Sequence, residues 1–269
     1  SASIDEVLVA LDAIVARSVE KASRIGYFAA MYRKVTAKVK EGIEEGFFDD
    51  GERMQRLDSI FANRYLEALY EFETGGKPTR SWGLAFDAAA DARPLIVQQL
   101  LLGVNAHINL DLGIAAATVA PGADLPSLRR DFDRINEILA LQIDTVEDCL
   151  GEVSPWLGIL DWIGGRNEEE LIRFSIEVAR TDAWRFANEL GPLDRTDWGG
   201  PIGARDTRVA HLARTVMNPG VLVNLGLLVI RSAESNDVGR VIAVLLGAPE
   251  PALSYVDQRV RQWRASDKP

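Results

Sequence analysis

One stretch of the chain, from Pro94 to Val119, constrains the fold more than any other part. It has the composition of a helix, and its only formal charge is Asp111. Helices on the surface of a globular protein carry a charged face, whereas a helix without one is buried among other helices. Three further polar side chains, Asn105, His107 and Asn109, argue against a membrane span, which needs about 20 mostly apolar residues. The sequence therefore predicts a buried central helix and no membrane partner.

Apolar residues recur at helical spacing through most of the rest of the chain. Ser3 followed by Glu6 predicts a capping box at the start of the first helix. Helices are predicted over residues 1–25, 27–45, 50–74, 78–91, 94–119, 126–150, 167–190, 204–217, 219–232, 235–247 and 251–264. A short further segment covers residues 154–163. Val221–Val223 and Val241–Leu246 have the composition of strands, but their caps and flanks favour helices.

These patterns predict an all-α fold with a single domain over residues 1–269. The expected architecture is a bundle of about ten helices around the buried central helix. Residues 191–203 form a predicted loop rich in Gly, Pro, Asp and Trp, and this loop is the best candidate for a domain boundary.

The charge of the chain excludes some partners. It has 40 acidic and 30 basic residues and a net charge of -10. A nucleic-acid-binding surface needs a basic patch that releases counterions from phosphates, so we expect no nucleic-acid partner. Asp5, Glu6 and Asp12 interrupt the first apolar stretch, which is therefore not a signal peptide. Because the lone Cys149 cannot form an internal disulfide, we expect a cytoplasmic protein; the sequence leaves its oligomeric state open.

His107 and Asp111 are the candidate catalytic residues. They lie four residues apart and share one face of the helix, whereas Asn105 and Asn109 share another. A buried carboxylate is costly unless it is paired, hydrogen-bonded or protonated, and His107 is available as its partner. An Asp that orients a His raises the basicity of the imidazole, which then serves as a general acid or base. The alternative is a structural polar staple, with Asn105 and Asn109 bonded to backbone.

Three other residues are candidates for substrate binding. His211 lies between Arg208 and Arg214 at three-residue spacing, so His211 and Arg208 could belong to an anion pocket. The alternative is a solvated basic helix face, since surface charge pairs are common and weak. Arg180 lies four residues before Trp184 and is a candidate for closing a cavity by stacking on it.

The helix predicted from residue 50 begins with the acidic group Asp49, Asp50 and Glu52. Such a group suggests a metal motif, but its position at a helix start is better explained by capping and by the helix dipole. Further along the same helix, Arg53, Asp58 and Arg64 fit exposed salt bridges as well as a pocket lining.

Three segments carry a resemblance to a known family. They are GVNAHINLDLGIAA in the central helix, RMQRLDSIFANRYLEAL before it and ARTDAWRFANEL after it. Together they resemble an uncharacterised bacterial all-helical family, a domain of unknown function, over residues 25–220. The resemblance implies a helical fold and a shared central helix, and it implies no activity.

The residues favour an enzyme that acts on a small organic molecule beside the central helix. His107 would be the acid–base group, Asp111 would orient it, and Asn105 or Asn109 would anchor the substrate. Hydrolysis, elimination, isomerisation and cyclisation all use such a pair, so the reaction class stays open. No cofactor is predicted. One alternative is a metal-dependent enzyme with a divalent metal on His107, Asp111 and His211; another is a non-catalytic helical binding or scaffold protein.

Overall fold

The computed structural model describes residues 1–154 and 176–247. Within these ranges the chain forms eleven α-helices and no strand, which confirms the predicted all-α fold. The helices are α1 (Ile4–Glu20), α2 (Ile25–Glu44), α3 (Gly51–Glu73), α4 (Arg80–Ala90), α5 (Ile96–Ala106), α6 (Leu112–Val119), α7 (Leu125–Val153), α8 (Ile176–Leu190), α9 (Gly199–Met217), α10 (Val221–Ala233) and α11 (Val238–Leu245).

Some predicted boundaries were wrong. The central helix begins at Ile96, because Leu95 rather than Pro94 is its N-cap. Helix α9 begins at Gly199, inside the predicted loop. Val221–Val223 and most of Val241–Leu246 are helical, so the strand alternative was wrong for both. The predictions over residues 155–163, 167–175 and 251–264 lie outside the described residues.

Two helix starts have the side-chain caps that the sequence predicts. The Ser3 hydroxyl accepts a hydrogen bond from the Glu6 backbone N–H at 3.3 Å. The Asp50 carboxylate accepts one from the Arg53 backbone N–H at 2.9 Å. Both satisfy backbone donors that a helix start leaves unpaired. The acidic group at the start of α3 is thus a cap.

Three helix starts are capped by carboxylates from distant parts of the chain. Asp131 accepts hydrogen bonds from the backbone N–H groups of residues 49 and 50, just before α3. Asp206 accepts from the backbone N–H groups of residues 80 and 81 at the start of α4. Glu234 accepts from the Ile96 N–H at the start of α5 and from the Ser154 hydroxyl. These negative charges also lie at the positive end of each helix dipole, where they interact with it favourably.

The central helix, Ile96–Val119, passes through both hydrophobic cores of the described region. Its first half packs with α2, α4 and α9, and its second half packs with α3, α7 and α8. Gly113 brings the second half close to α8, since a Cβ at this position would lie 2.7 Å from the Ala183 carbonyl oxygen. Burial on all sides explains the near absence of charge along this segment.

By length and composition the central helix would also be able to cross a membrane, with a mean hydropathy of 1.4 over its most apolar window. In the structure, 78% of that window is buried inside the protein. The same length and composition are found in core helices that are buried by other helices.

Candidate functional site

A π-helical turn interrupts the central helix at the candidate catalytic residues. The α-helical hydrogen-bond pattern stops at Ala106, a π turn covers His107–Asp111, and the α-helix resumes at Leu112. The sequence predicts an uninterrupted helix here, so this prediction was wrong. Single π turns within α-helices are rare, and those that occur are frequently found at functional sites. The turn lies where the two hydrophobic cores meet.

Asp111 is buried and fully paired. Its Oδ1 accepts a hydrogen bond from Arg64 Nε of α3 at 2.7 Å, and its Oδ2 accepts one from Trp82 Nε1 of α4 at 2.7 Å. The Nδ1 atom of His107 lies 3.6 Å from the same Oδ2. Asp111 therefore joins α3, α4 and the central helix.

The His107 ring is enclosed by aromatic side chains. It stacks on Phe61 with ring centroids 3.5 Å apart and planes 7° apart. Tyr32 approaches it edge-on at 4.5 Å, Phe28 at 5.7 Å, and Trp82 lies at 5.9 Å. This surround leaves 3% of the residue exposed.

Neither ring nitrogen of His107 has a hydrogen-bond partner, although both are buried. Burial lowers the pKa of the imidazole below its ordinary value, and the neighbouring Asp111 opposes part of that shift. His107 is therefore a neutral base at neutral pH, beside a carboxylate that would stabilise its protonated form.

More buried polar atoms without partners lie around His107. Among the described side chains ten such atoms occur, and eight belong to α2, α3 and the π turn. The eight are Tyr32 Oη, Thr36 Oγ1, Arg53 Nε, Asp58 Oδ2, Ser59 Oγ, Tyr65 Oη, His107 Nδ1 and His107 Nε2. Native proteins leave few buried polar groups unpaired, so this concentration marks one region of the interior.

Asp58 is the carboxyl group among these unpaired atoms, and its charge acts on the Tyr32 phenol. Burial raises the pKa of its carboxyl from 3.8 to about 7. Asp58 in turn contributes, after burial itself, to raising the pKa of the Tyr32 phenol. The Thr36 hydroxyl lowers that phenol pKa, although neither hydroxyl has a hydrogen-bond partner. The interpretation of Asp58 as part of an exposed salt bridge was wrong.

The asparagines on the other side of the central helix are bonded within the protein. Asn105 Nδ2 donates to the Val209 carbonyl at 2.9 Å, and Asn109 Nδ2 donates to Asn105 Oδ1 at 3.0 Å. Gln98 Nε2 likewise donates to the Val216 carbonyl. Asn105 and Gln98 join the central helix to the backbone of α9, as the structural alternative requires of Asn105, whereas the Asn109 amide donates to a side chain.

The remaining predicted site residues are not brought to His107. His211 and Arg208 lie on an exposed face of α9. Arg180 is buried elsewhere, against α7, where it donates to Asn136 Oδ1 and the Phe132 carbonyl and stacks on the Phe132 ring. Arg180 therefore does not stack on Trp184 as the spacing suggested.

The predicted three-ligand metal site is not assembled. Over the part of the chain that the structure describes, no group of three or more His, Cys, Asp or Glu side chains lies close enough together to hold a metal ion. His211 faces outward on α9, whereas His107 and Asp111 are buried in the central helix. The set of His107, Asp111 and His211 was therefore wrong as a metal site.

Sequence reasoning missed the side chains that complete the site. Arg64 was left open between an exposed salt bridge and a pocket lining, and the sequence predicts no role for Trp82 beyond core packing. Tyr32, Thr36 and Phe61 were not singled out. One signal was available: Asp58, Phe61 and Tyr65 recur at helical spacing on the predicted stripe of α3, so a carboxylate falls on an otherwise aromatic face.

The chain was compared with known families, proteins and structures. A family model described as "Family of unknown function (DUF5995)" matches residues 4–219. The chain belongs to this family. The DUF5995 region contains the π turn and all its neighbours named above, whereas Glu234, which caps α5, lies beyond it. No curated protein and no solved structure matches the chain.

Proposed function

We propose that this DUF5995 protein is an enzyme that acts on a small organic molecule by acid–base chemistry at His107. The observation that carries the proposal is that both ring nitrogens of a buried histidine have no partner at a π-helical turn. Hydrolysis, elimination, isomerisation and cyclisation remain the candidate reactions, because each requires proton transfer at a positioned base.

The protonation state of His107 supports the proposal. Burial keeps the imidazole neutral, so its free nitrogen lone pair is available at neutral pH. Proton uptake would create an imidazolium 3.6 Å from the Asp111 carboxylate. That carboxylate is held in place by Arg64 and Trp82, so it is a positioning residue that needs no reorganisation when His107 becomes charged.

The cost of the arrangement also supports a function. A buried polar atom without a partner destabilises a protein by about 1–3 kcal/mol. A phenylalanine at position 107 would keep the stacking on Phe61 and remove two such atoms. An arrangement that lowers stability in this way is expected at functional sites, where activity is gained at the expense of stability.

A second candidate is a helical scaffold or binding protein without catalysis. The hydrogen bonds from Arg64 and Trp82 favour it, because they make Asp111 a link between three helices whether or not His107 reacts. The two candidates therefore differ at His107 and not at Asp111.

The decisive experiment is the variant His107→Phe. Native and variant proteins are assayed on a panel of small esters, lactones, hydroxy acids and enolisable ketones, and both are melted. We expect the variant to lose about 100-fold or more of any turnover, as is typical of removing a general base. We also expect a melting temperature equal to or above that of the native chain, since the new ring replaces two unpaired nitrogens.

A spectroscopic measurement tests His107 independently of substrate. The chain has only two histidines, so ¹⁵N-histidine labelling gives two sets of ring signals, which His211→Gln assigns. We expect the His107 ring to remain neutral at pH 6.5. Unchanged turnover in His107→Phe, or a His107 ring that is protonated at this pH, would contradict the proposal.

A further inference from the structure

The exposed side of α9 carries a group of basic side chains that the proposed function does not use. Arg208, His211 and Arg214 are all exposed, and their three-residue spacing places them along one side of the helix. Arg80 of α4 joins them, because its Nη1 donates to the hydroxyl of Thr207, the residue before Arg208, at 2.6 Å. We call Arg80, Arg208, His211 and Arg214 the basic face.

Within residues 1–154 and 176–247, no carboxylate forms an ion pair with the basic face. Asp206, which precedes Thr207, is buried and accepts hydrogen bonds from the start of α4 and from the Ser81 hydroxyl. Asp87, the carboxylate of α4, pairs with none of the four side chains. The face therefore keeps its positive charge on a chain that has 40 acidic and 30 basic residues.

The backbone beneath the basic face is fixed from several directions. Asp206 joins α9 to the start of α4. Gln98 and Asn105 of the central helix donate to carbonyls on the other side of α9. The Arg80 guanidinium is itself held by its hydrogen bond to Thr207. A surface that is already ordered loses less conformational entropy when a partner binds, so this face is prepared for an anionic partner.

The spacing of the face matches that of carboxylates on a second helix. Arg208 and Arg214 are six residues apart, which is about 9 Å along the axis at roughly 1.5 Å per residue. Glutamates three or four residues apart on a partner helix repeat with the same rise and lie on one side of it. A guanidinium binds a carboxylate with two parallel hydrogen bonds, and the His211 ring donates at least one more.

A nucleic acid fits the basic face less well than an acidic peptide does. Surfaces that bind single strands place aromatic side chains for stacking next to their cations, and α9 contains no Phe, Tyr or Trp. Duplex DNA is bound through many phosphate contacts, for which a face about 9 Å long is too short. The net charge of -10 also repels a long polyanion.

We infer that the basic face binds an acidic helical segment of another protein. The guanidinium groups of Arg80, Arg208 and Arg214 pair with its carboxylates, and His211 donates a hydrogen bond between them. This inference goes beyond the function proposed above and does not rest on it. The face lies on the exposed side of α9, whereas His107 is buried in the central helix.

Fluorescence anisotropy with three labelled probes tests the inference on the full chain. The first is a peptide of about 16 residues that repeats Glu-Ala-Ala-Ala, which places its carboxylates on one side of a helix. The second repeats Gln-Ala-Ala-Ala, and the third is a thymidine strand of the same charge as the first. We expect saturable binding of the glutamate peptide at 20 mM salt and about tenfold weaker binding at 200 mM. We expect no binding of the glutamine peptide and at least about tenfold weaker binding of the thymidine strand.

A pair of double variants locates the binding on the chain. Arg208→Gln with Arg214→Gln is expected to weaken binding of the glutamate peptide about tenfold or more. Lys21→Gln with Arg240→Gln removes the same charge from two exposed positions on other helices and is expected to change the affinity less than about twofold. Exposed substitutions of this kind leave the fold nearly unchanged, which thermal unfolding of both variants checks.

The two histidines of the chain give an internal comparison by ¹⁵N-histidine NMR. During titration with the glutamate peptide, we expect the ring signals of His211 to shift and saturate with the same affinity that anisotropy gives. The ring signals of the buried His107 are expected to stay in place. This measurement uses the native chain and does not depend on whether any variant folds.

Several results would overturn the inference. They are the absence of saturable binding of the glutamate peptide, equal binding of the glutamine peptide or the thymidine strand, and equal affinities of the two double variants. Unmoved His211 signals during saturable binding would show that the peptide binds elsewhere and would also overturn it. His107→Phe is expected to bind the peptide like the native chain, so a failure of the proposed catalysis and a failure of this inference are distinguishable.

Discussion

The buried carboxylates of this protein fall into two regions with opposite surroundings. At the starts of α3, α4 and α5, the carboxylates of Asp131, Asp206 and Glu234 each accept two or more hydrogen bonds. On α3, the Asp58 carboxylate leaves one oxygen without any partner. The same chain therefore satisfies buried charge thoroughly in one place and leaves polar atoms unpaired in another.

The difference indicates which region is organised for stability. A capping carboxylate contributes about 1–2 kcal/mol to a helix start, whereas each unpaired buried polar atom costs about 1–3 kcal/mol. Asp111 belongs to the satisfied group although it lies beside the unsatisfied one. Asp111 therefore lies between the two groups. Substitutions of satisfied groups should lower the stability of the fold, whereas substitutions of unsatisfied groups should raise it.

The largest expected effect is the pH-dependent gain in stability of Asp58→Asn. The carboxyl has a pKa of about 7 in the folded chain and 3.8 ordinarily, so the folded state holds its proton more tightly. The stability of the native chain therefore falls as pH rises from 4 to 7. The variant avoids this loss, and above pH 7 it should gain up to about 4 kcal/mol. Urea unfolding of both proteins at pH 4 and pH 8 measures the difference, and an equal difference at the two pH values would contradict it.

Asp111→Asn is expected to destabilise the fold by about 3 kcal/mol, because it removes the charge that faces Arg64 and leaves one donor opposite an amide NH₂. The partial exposure of Arg64 keeps the loss below that of a fully buried pair. Thermal and urea unfolding measure it. In the double variant with Arg64→Gln, the loss of stability should be smaller than the sum of the two single losses, because both substitutions break the same ion pair. A variant as stable as the native chain would show that the network contributes nothing.

Asp206→Asn is expected to cost about 2 kcal/mol, since it weakens the cap of α4 and its favourable interaction with the helix dipole. Glu41→Gln provides the control: this carboxylate forms an exposed pair with Lys38, worth about 0.5 kcal/mol. Urea unfolding at pH 7 compares the two. Equal losses would mean that the distant caps are no stronger than surface pairs.

The smallest expected effect compares two buried hydroxyls. Thr36→Val replaces an unpaired hydroxyl by a methyl group of the same shape and should raise stability by about 0.5–1 kcal/mol. Ser81→Ala removes a hydroxyl that donates to Asp206 and should lower stability by about 1 kcal/mol. Thermal unfolding gives the sign of each change. The same sign for both would remove the distinction between the two regions.

The sequence predicts the fold well because helical periodicity is a local signal. Ser3 and Asp50 are caps, as their spacing predicts, and the uncharged segment after Pro94 is the buried central helix. The sequence could not predict the π turn. His107–Asp111 differs from an α-helix in its backbone hydrogen bonds, and these depend on tertiary contacts rather than on a local sequence pattern. Nor could it predict that Asp206 caps α4, because the two are 126 residues apart.

The candidate site was predictable only in part. The spacing of His107 and Asp111 places them together, and the structure has them 3.6 Å apart. The partners of Asp111 come from α3 and α4, and which residues of those helices face inward toward it depends on packing angles that no local pattern contains. For the same reason His211 was grouped with His107 by residue type alone, although α9 presents it on the opposite, exposed face.

The distant caps also set an order of events during synthesis. The Asp131 carboxylate follows the start of α3 by 81 residues, and Glu234 follows the start of α5 by 138. At translation rates of about 5–20 residues per second, α5 leaves the ribosome roughly 7–28 seconds before its cap exists. The first half of the chain therefore reaches its final form only after residue 234 of the second half has been made.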